Sequence, residues 1–233
     1  MFDLSQLTPY LQSFVQECCD KPVVYEEKGI LNIEGFYWWS LVGFFKPDII
    51  LESGVSKGRS TEILARAQQF FKIQRHYAFD IDDALKPNNP GPGKHEAYVR
   101  AKLSKYKTKY TYQSSIDGFT EIYNSSPMAK IVAIIDGPKA DGPFKDVIRT
   151  LAKFTNLQAI GSHDCSLDVR TRDNFAKSCK EFVQSKDVIF TTPKTNRVLS
   201  FLNSYIITDV IKSVGAKKAD ILIDKSNYIG FCI

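Results

Sequence analysis

The sequence has little of what marks a secreted, membrane-spanning or nucleic-acid-binding chain. Its 233 residues include five cysteines (Cys18, Cys19, Cys165, Cys179 and Cys232), with no C-x-x-C pair and no metal-ligand spacing. An odd count without a signal-like segment leads us to expect reduced thiols and a cytoplasmic protein. Long hydrophobic runs are also absent. The most apolar stretch, 36–45, has about half of the ~20 residues a membrane span requires, and Lys46-Pro47 stops it as a helix. The net charge of +5 is mild, and no lysine/arginine run is dense enough for a nucleic-acid groove. Internal repeats and low-complexity tracts are lacking.

Two phosphate-binding motifs are missing as well, although one segment comes near them. Residues 48–61 read Asp-Ile-Ile-Leu-Glu-Ser-Gly-Val-Ser-Lys-Gly-Arg-Ser-Thr. A P-loop needs four residues between its glycines and then a lysine. Here three residues separate Gly54 from Gly58, and Arg59 follows. The dinucleotide fingerprint needs a second glycine where Ser56 stands. What remains is a buried strand leaving a sheet through a glycine turn, with backbone N–H groups and a helix start at Ser60 facing a ligand. Glu52 at the strand tip repels phosphate but suits an ammonium or a hydroxyl. That points toward S-adenosylmethionine; the bland reading is a turn in which the glycines serve only the backbone.

Along the chain, strands and helices alternate. Helices are predicted at the start (Thr8 capping, Pro9 in the first turn, and Leu11, Phe14, Val15 and Cys18 as one stripe) and over 33–45, where Tyr37, Trp38 and Trp39 read as core and rim. Strands are predicted at 49–52, 76–81, 110–113, 130–135, 157–161 and 188–192, with a β-like end at 228–233. Helices are predicted from 60, over 95–106, from about 143, over 171–184 and over 198–214; the Pro/Gly-rich 86–93 is a loop. This pattern predicts an α/β fold: a doubly wound, Rossmann-like, mostly parallel sheet of about seven strands, helices on both faces, and added N-terminal helices. Ligands bind such sheets at the carboxyl ends of the strands. Glu52, Asp80, Ser114/Ser115, Asp136 and His163/Asp164 all fall there.

Over residues 33–192 the chain resembles the class I S-adenosylmethionine-dependent methyltransferases, most strongly in the turn Glu52-x-Gly54-x-x-x-Gly58-x-Ser60. The resemblance implies that Gly54, Ser56, Gly58 and Ser60 hold the methionine part of the cofactor and that Glu52 reaches its amino group. It assigns the ribose hydroxyls to Asp80, with Asp82 as runner-up and Ile81 beside it, and adenine to Ser114 and Ser115. The endings Ile135-Asp136-Gly137-Pro138-Lys139 and Ser162-His163-Asp164 look like the subgroup of small-molecule and sugar O-methyltransferases related to the macrocin and rhamnosyl enzymes. Several of those bind a divalent cation, for which Asp136 and Asp164 would be the matching magnesium ligands. The sequence departs from that pattern where Pro138 replaces an acid and Lys139 a histidine.

A neutral hydroxyl is a poor nucleophile, so a base or a metal is expected. His163, Asp136, Asp141 and a deprotonated Lys139 are the candidates, and we favour Asp136 with His163. Each has a plainer reading. Asp141 before Gly142-Pro143 suits an N-cap, His163 can bond a loop carbonyl, Asp164 can brace a turn, and Lys139 can be a surface cation. His76 and His95 receive no role.

The leading expectation is therefore an O-methyltransferase acting on a sugar, glycan or other small polar acceptor. Residues 1–47 would form a substrate lid and 48–233 the Rossmann-like domain; a homodimer is a further expectation. The alternatives are a non-catalytic domain that keeps the fold, supported by Pro138, and a nucleic-acid methyltransferase, which lacks its N/D-P-P-Y/F signature and basic aromatic stretch. An oxidoreductase is disfavoured by the missing dinucleotide fingerprint.

Overall fold

The structure is a computed structural model. It describes residues 4–19, 32–81, 94–137, 141–163, 165, 169–183, 188–190 and 230–232. The elements in chain order are a leading helical segment Leu4–Cys19 containing α1 (Leu11–Phe14), then α2 (Asn32–Phe45), β1 (Ile49–Ser53), α3 (Arg59–Phe70), β2 (Arg75–Asp80), α4 (Lys94–Leu103) and β3 (Lys109–Tyr112). They continue with α5 (Ser115–Ser125), β4 (Ile131–Ile135), α6 (Asp141–Leu151), β5 (Leu157–Ser162), α7 (Val169–Ser178), β6 (Val188–Phe190) and β7 (Gly230–Cys232).

The strands lie in the order β3-β2-β1-β4-β5-β7-β6. The first five pair in parallel. This corrects the expectation of about seven mostly parallel strands: the parallel sheet has five. The two remaining strands are three-residue edge pieces, and both of their pairings are antiparallel, β7 against β5 and against β6. Antiparallel neighbours can pair without the crossover connection that a parallel pair needs.

Strand parity divides the core into two layers. Ile50, Val132, Ile134 and Ala159 face α2 and α3, packing with Phe36, Trp38, Trp39, Leu41, Ile63 and Leu64. Ile49, Leu51, Ala133, Ile135 and Ile160 face the other way, against Phe119, Phe144, Val147, Ile148 and Phe175. Both faces of the central strands are covered, which is why β1 and β4 are apolar at successive positions.

Helix α2 ends where Lys46 takes a left-handed φ of 42° and Pro47 forbids continuation, as expected. The leading segment differs from expectation. Residues Leu4–Tyr10 wind as a 3₁₀ helix around Pro9, followed by one α turn and a π turn at Val15–Cys19. Its stripe is nevertheless buried at Phe14, Val15 and Cys18. Helix α5 was not foreseen. The loop 86–93, the helix expected at 198–214, and Pro138, Lys139 and Asp164 lie outside the described residues. Among the described residues no helix is long and apolar enough to cross a membrane. No disulfide joins Cys18, Cys165 and Cys179, all of which are buried.

Candidate active site

The sheet order reverses between β1 and β4, so the crevice opens at their carboxyl ends. Two turns meet there. The turn after β1 passes through Gly54 (φ 87°), Ser56 (φ 46°) and Gly58 (φ 76°), all left-handed. The Gly54 N–H donates to the Phe79 carbonyl (2.9 Å) and the Gly58 N–H to that of Val55 (2.8 Å). A side chain at Gly54 would run into the backbone of Asp136 and Gly137, and one at Gly137 would meet Ser53. The Asp136 N–H donates to the Ser53 carbonyl at 2.7 Å. The two glycines therefore let the turn after β1 lie against the one that carries Asp136.

Asp80, at the end of β2, braces the turn. Its Oδ2 accepts from the N–H groups of Val55 (2.9 Å) and Ser56 (2.7 Å), which stabilises the left-handed Ser56. Next to it Ile81 is 58% exposed, an apolar surface at the lip of the crevice. The structure thus places Gly54, Ser56, Gly58, Asp80 and Ile81 around one turn.

Glu52 lies beneath this turn. Parity puts it on the α3 face of β1 with Ile50, and it has no exposed surface. Its Oε1 accepts from the Ser60 hydroxyl at 2.6 Å, and its Oε2 stands 3.4 Å from His76 Nε2. The other His76 nitrogen lies 2.9 Å from Thr108 Oγ1. Glu52 and Ser60 consequently tie the first turn of α3 to β1. His76, given no role from sequence, is the partner this buried carboxylate faces. Ser114 and Ser115 are engaged too. The Ser114 hydroxyl caps α5 by accepting from the Ile116 N–H (3.2 Å), and the buried Ser115 hydroxyl pairs with that of Ser53 at 2.7 Å.

On the acceptor side, Asp136 and His163 come together as expected: Asp136 Oδ1 is 2.8 Å from His163 Nδ1. A third group completes the set. Glu34 Oε1 lies 2.9 Å from His163 Nε2. Both are close approaches of a carboxylate to a ring nitrogen, and they become ion pairs when the ring is protonated. Exposure falls inward along the set, from 21% for the Asp136 side chain through 11% for His163 to 1% for Glu34.

Sequence reasoning missed Glu34, yet a signal was present: it is the single charged residue in the fourteen of α2. A charge is rarely buried without a partner. Its placement follows from register. Glu34 and Trp38 are four apart and share a helix face, about 6 Å along the axis. Gly161 and His163 are two apart on one strand face, about 6.6 Å apart. Trp38 seats on Gly161, which brings Glu34 to His163.

Of the expected metal pair, Asp136 is described and has His163 on one oxygen; among the described residues no group of three or more His, Cys, Asp or Glu could hold a metal ion. A second charged cluster braces α3. The buried Glu62 accepts from Arg66 and from Tyr106 Oη, both at 2.9 Å, with Lys105 at 3.5 Å. Burial alone would raise the Glu62 carboxyl; the hydrogen bonds from Tyr106 and Arg66 overcome it and hold it below its ordinary value.

The sequence matches no family model and no curated protein. Solved structures do match. An O-methyltransferase from Bacillus cereus, solved with S-adenosylhomocysteine, is 15% identical and superposes with a TM-score of 0.52 over 100% of this chain and 92% of its own. A Podospora anserina methyltransferase, also solved with S-adenosylhomocysteine, is 14% identical with a TM-score of 0.52 over 81% and 84%. The precorrin-6y C5,15-methyltransferase of Geobacter metallireducens is 13% identical with a TM-score of 0.52 over 74% and 81%. The chain has the fold of the class I S-adenosylmethionine-dependent methyltransferases.

Proposed function

We propose that this protein is an S-adenosylmethionine-dependent O-methyltransferase acting on a hydroxyl of a sugar, glycan or other small polar acceptor. The observation that carries the reading is the apposition of the braced Gly54–Gly58 turn and the Asp136–His163 pair through the Gly54/Gly137 contact. In this reading the turn holds the methionine part, Asp80 takes ribose hydroxyls, and the exposed Ile81 covers one face of adenine. Ser114 and Ser115 shape that end of the pocket as a cap and a buried pair. When bound, the cofactor supplies an electrophilic methyl group on a sulfonium sulfur.

The protein's own part is positional and basic. Asp136 is the most exposed member of its set, so it meets the acceptor and takes the hydroxyl proton as the oxygen bonds to carbon. His163 beside it holds the Asp136 carboxylate in place for that transfer. The reading also gives Lys139 and Asp164 acceptor-side roles on the strength of the sequence alone, and gives α2 a part in the acceptor side through Glu34.

The test is to incubate the purified protein with S-adenosylmethionine and a panel of sugars, glycans and phenols, with and without chelator, and to detect methyl ethers by mass spectrometry. Methylation of any hydroxyl supports the reading, and loss with chelator would join a divalent cation to Asp136 and Asp164. Methylation only of nitrogen or carbon in a wider panel would overturn O-transfer; the precorrin-type neighbour shows that this fold is not confined to oxygen.

A further inference from the structure

We infer that Glu34 is a positioning residue for the acceptor side, and that it makes Asp136, not His163, the group that meets the acceptor. The inference rests on the methyl-transfer reading given above. An imidazole has two nitrogens, and here each faces a carboxylate oxygen within hydrogen-bond distance: Nδ1 faces Asp136 at 2.8 Å and Nε2 faces Glu34 at 2.9 Å. With a carboxylate within 3 Å of each ring nitrogen, an approaching hydroxyl meets an acid before it meets the imidazole. It is held edge-on between two acids, and the acid nearer the crevice is Asp136.

Three features make Glu34 a built part of this arrangement. It is almost fully buried on a helix that is otherwise uncharged, where a carboxylate is costly without a partner. The helix cannot slide, because Trp38 one turn on is seated on Gly161. The next residue, Gly35, lets α2 lie close to α3, since a methyl group there would meet the Ile63 side chain at 2.6 Å. The result is a rigid strut from the N-terminal helix to the end of β5. It fixes which edge of the His163 ring faces Asp136, as outer-sphere acids do for catalytic imidazoles generally.

The test uses the sequence's small histidine count. With three histidines in the chain, ¹⁵N-histidine labelling and long-range ¹H–¹⁵N spectra resolve each ring, and His163→Asn assigns the relevant one. In Glu34→Gln the Nε2 signal of His163 is expected to move, while the signals of His76 and His95 stay. Binding of S-adenosylhomocysteine by calorimetry is expected to stay within about twofold of wild type. Turnover on an acceptor from the panel should fall about tenfold or more with an unchanged KM for S-adenosylmethionine, the mark of lost positioning. Glu34→Ala should move the same signal further.

An unmoved His163 Nε2 signal in both variants, or wild-type turnover in Glu34→Gln, would overturn the inference. Failure of the wild-type protein to bind S-adenosylhomocysteine would instead sink the methyl-transfer reading, while the spectra still judged the Glu34–His163 contact.

Discussion

Trp38 fills the space that a methyl group on Gly161 would occupy. This contact sets helix α2 against β5 and so sets the distance between Glu34 and His163. Gly161→Ala overpacks a site walled by the indole and by Ile134, and should cost about 1–3 kcal/mol of stability. Thermal unfolding should show a Tm several degrees lower. Gly142→Ala is the control, since nothing lies within 4 Å of the added carbon. Equal melting of the two variants would mean that α2 is not locked by this contact.

Gly54 is constrained twice, by a φ of 87° and by the backbone of Gly137. Gly54→Ala should push the two turns apart and weaken S-adenosylhomocysteine binding by about tenfold or more, roughly 1.4 kcal/mol or above. Calorimetry on the variant checks this. Wild-type affinity would remove the turn from the cofactor site.

The two N–H groups that Asp80 accepts explain a third expectation. Asp80→Ala loses two charge-assisted bonds, each worth about 1.5–3 kcal/mol, so the turn should loosen even without cofactor. Hydrogen exchange at Val55 and Ser56 in the unliganded protein should speed up. Slow exchange retained in the variant would show that the carboxylate serves the cofactor alone.

How much of this was legible in the sequence differs from residue to residue, for physical reasons. The central strands β1 and β4 were readable because both of their faces are buried and their apolar runs are bounded by turn residues. The Asp136–His163 pair was readable from strand ends. Helix α5 was not, because Gly118 reads as a breaker; the structure shows that it is there to admit the Phe79 ring. The burial of Glu52 was available from parity, since it shares a face with Ile50. Glu34 needed the docking of α2 on β5, a tertiary register that no local pattern encodes.

Acid should act on the α3 brace. The folded Glu62 carboxyl sits below its ordinary 4.5, held by Tyr106 and Arg66 against the cost of burial. A depressed acid contributes stability that is present above the unfolded value and is lost as pH falls through the folded one. Denaturant midpoints should therefore decline below about pH 4.5 in wild type and less steeply in Glu62→Gln. A parallel decline in both would assign acid sensitivity to other carboxylates.

The most direct test of the methyl-transfer reading is calorimetric titration of the wild-type protein with S-adenosylhomocysteine. The expected result is saturable binding at one site per chain, lost or at least tenfold weaker in Gly54→Ala and retained in Asp136→Asn. No heat up to millimolar ligand, or binding that ignores the Gly54 substitution, would contradict it.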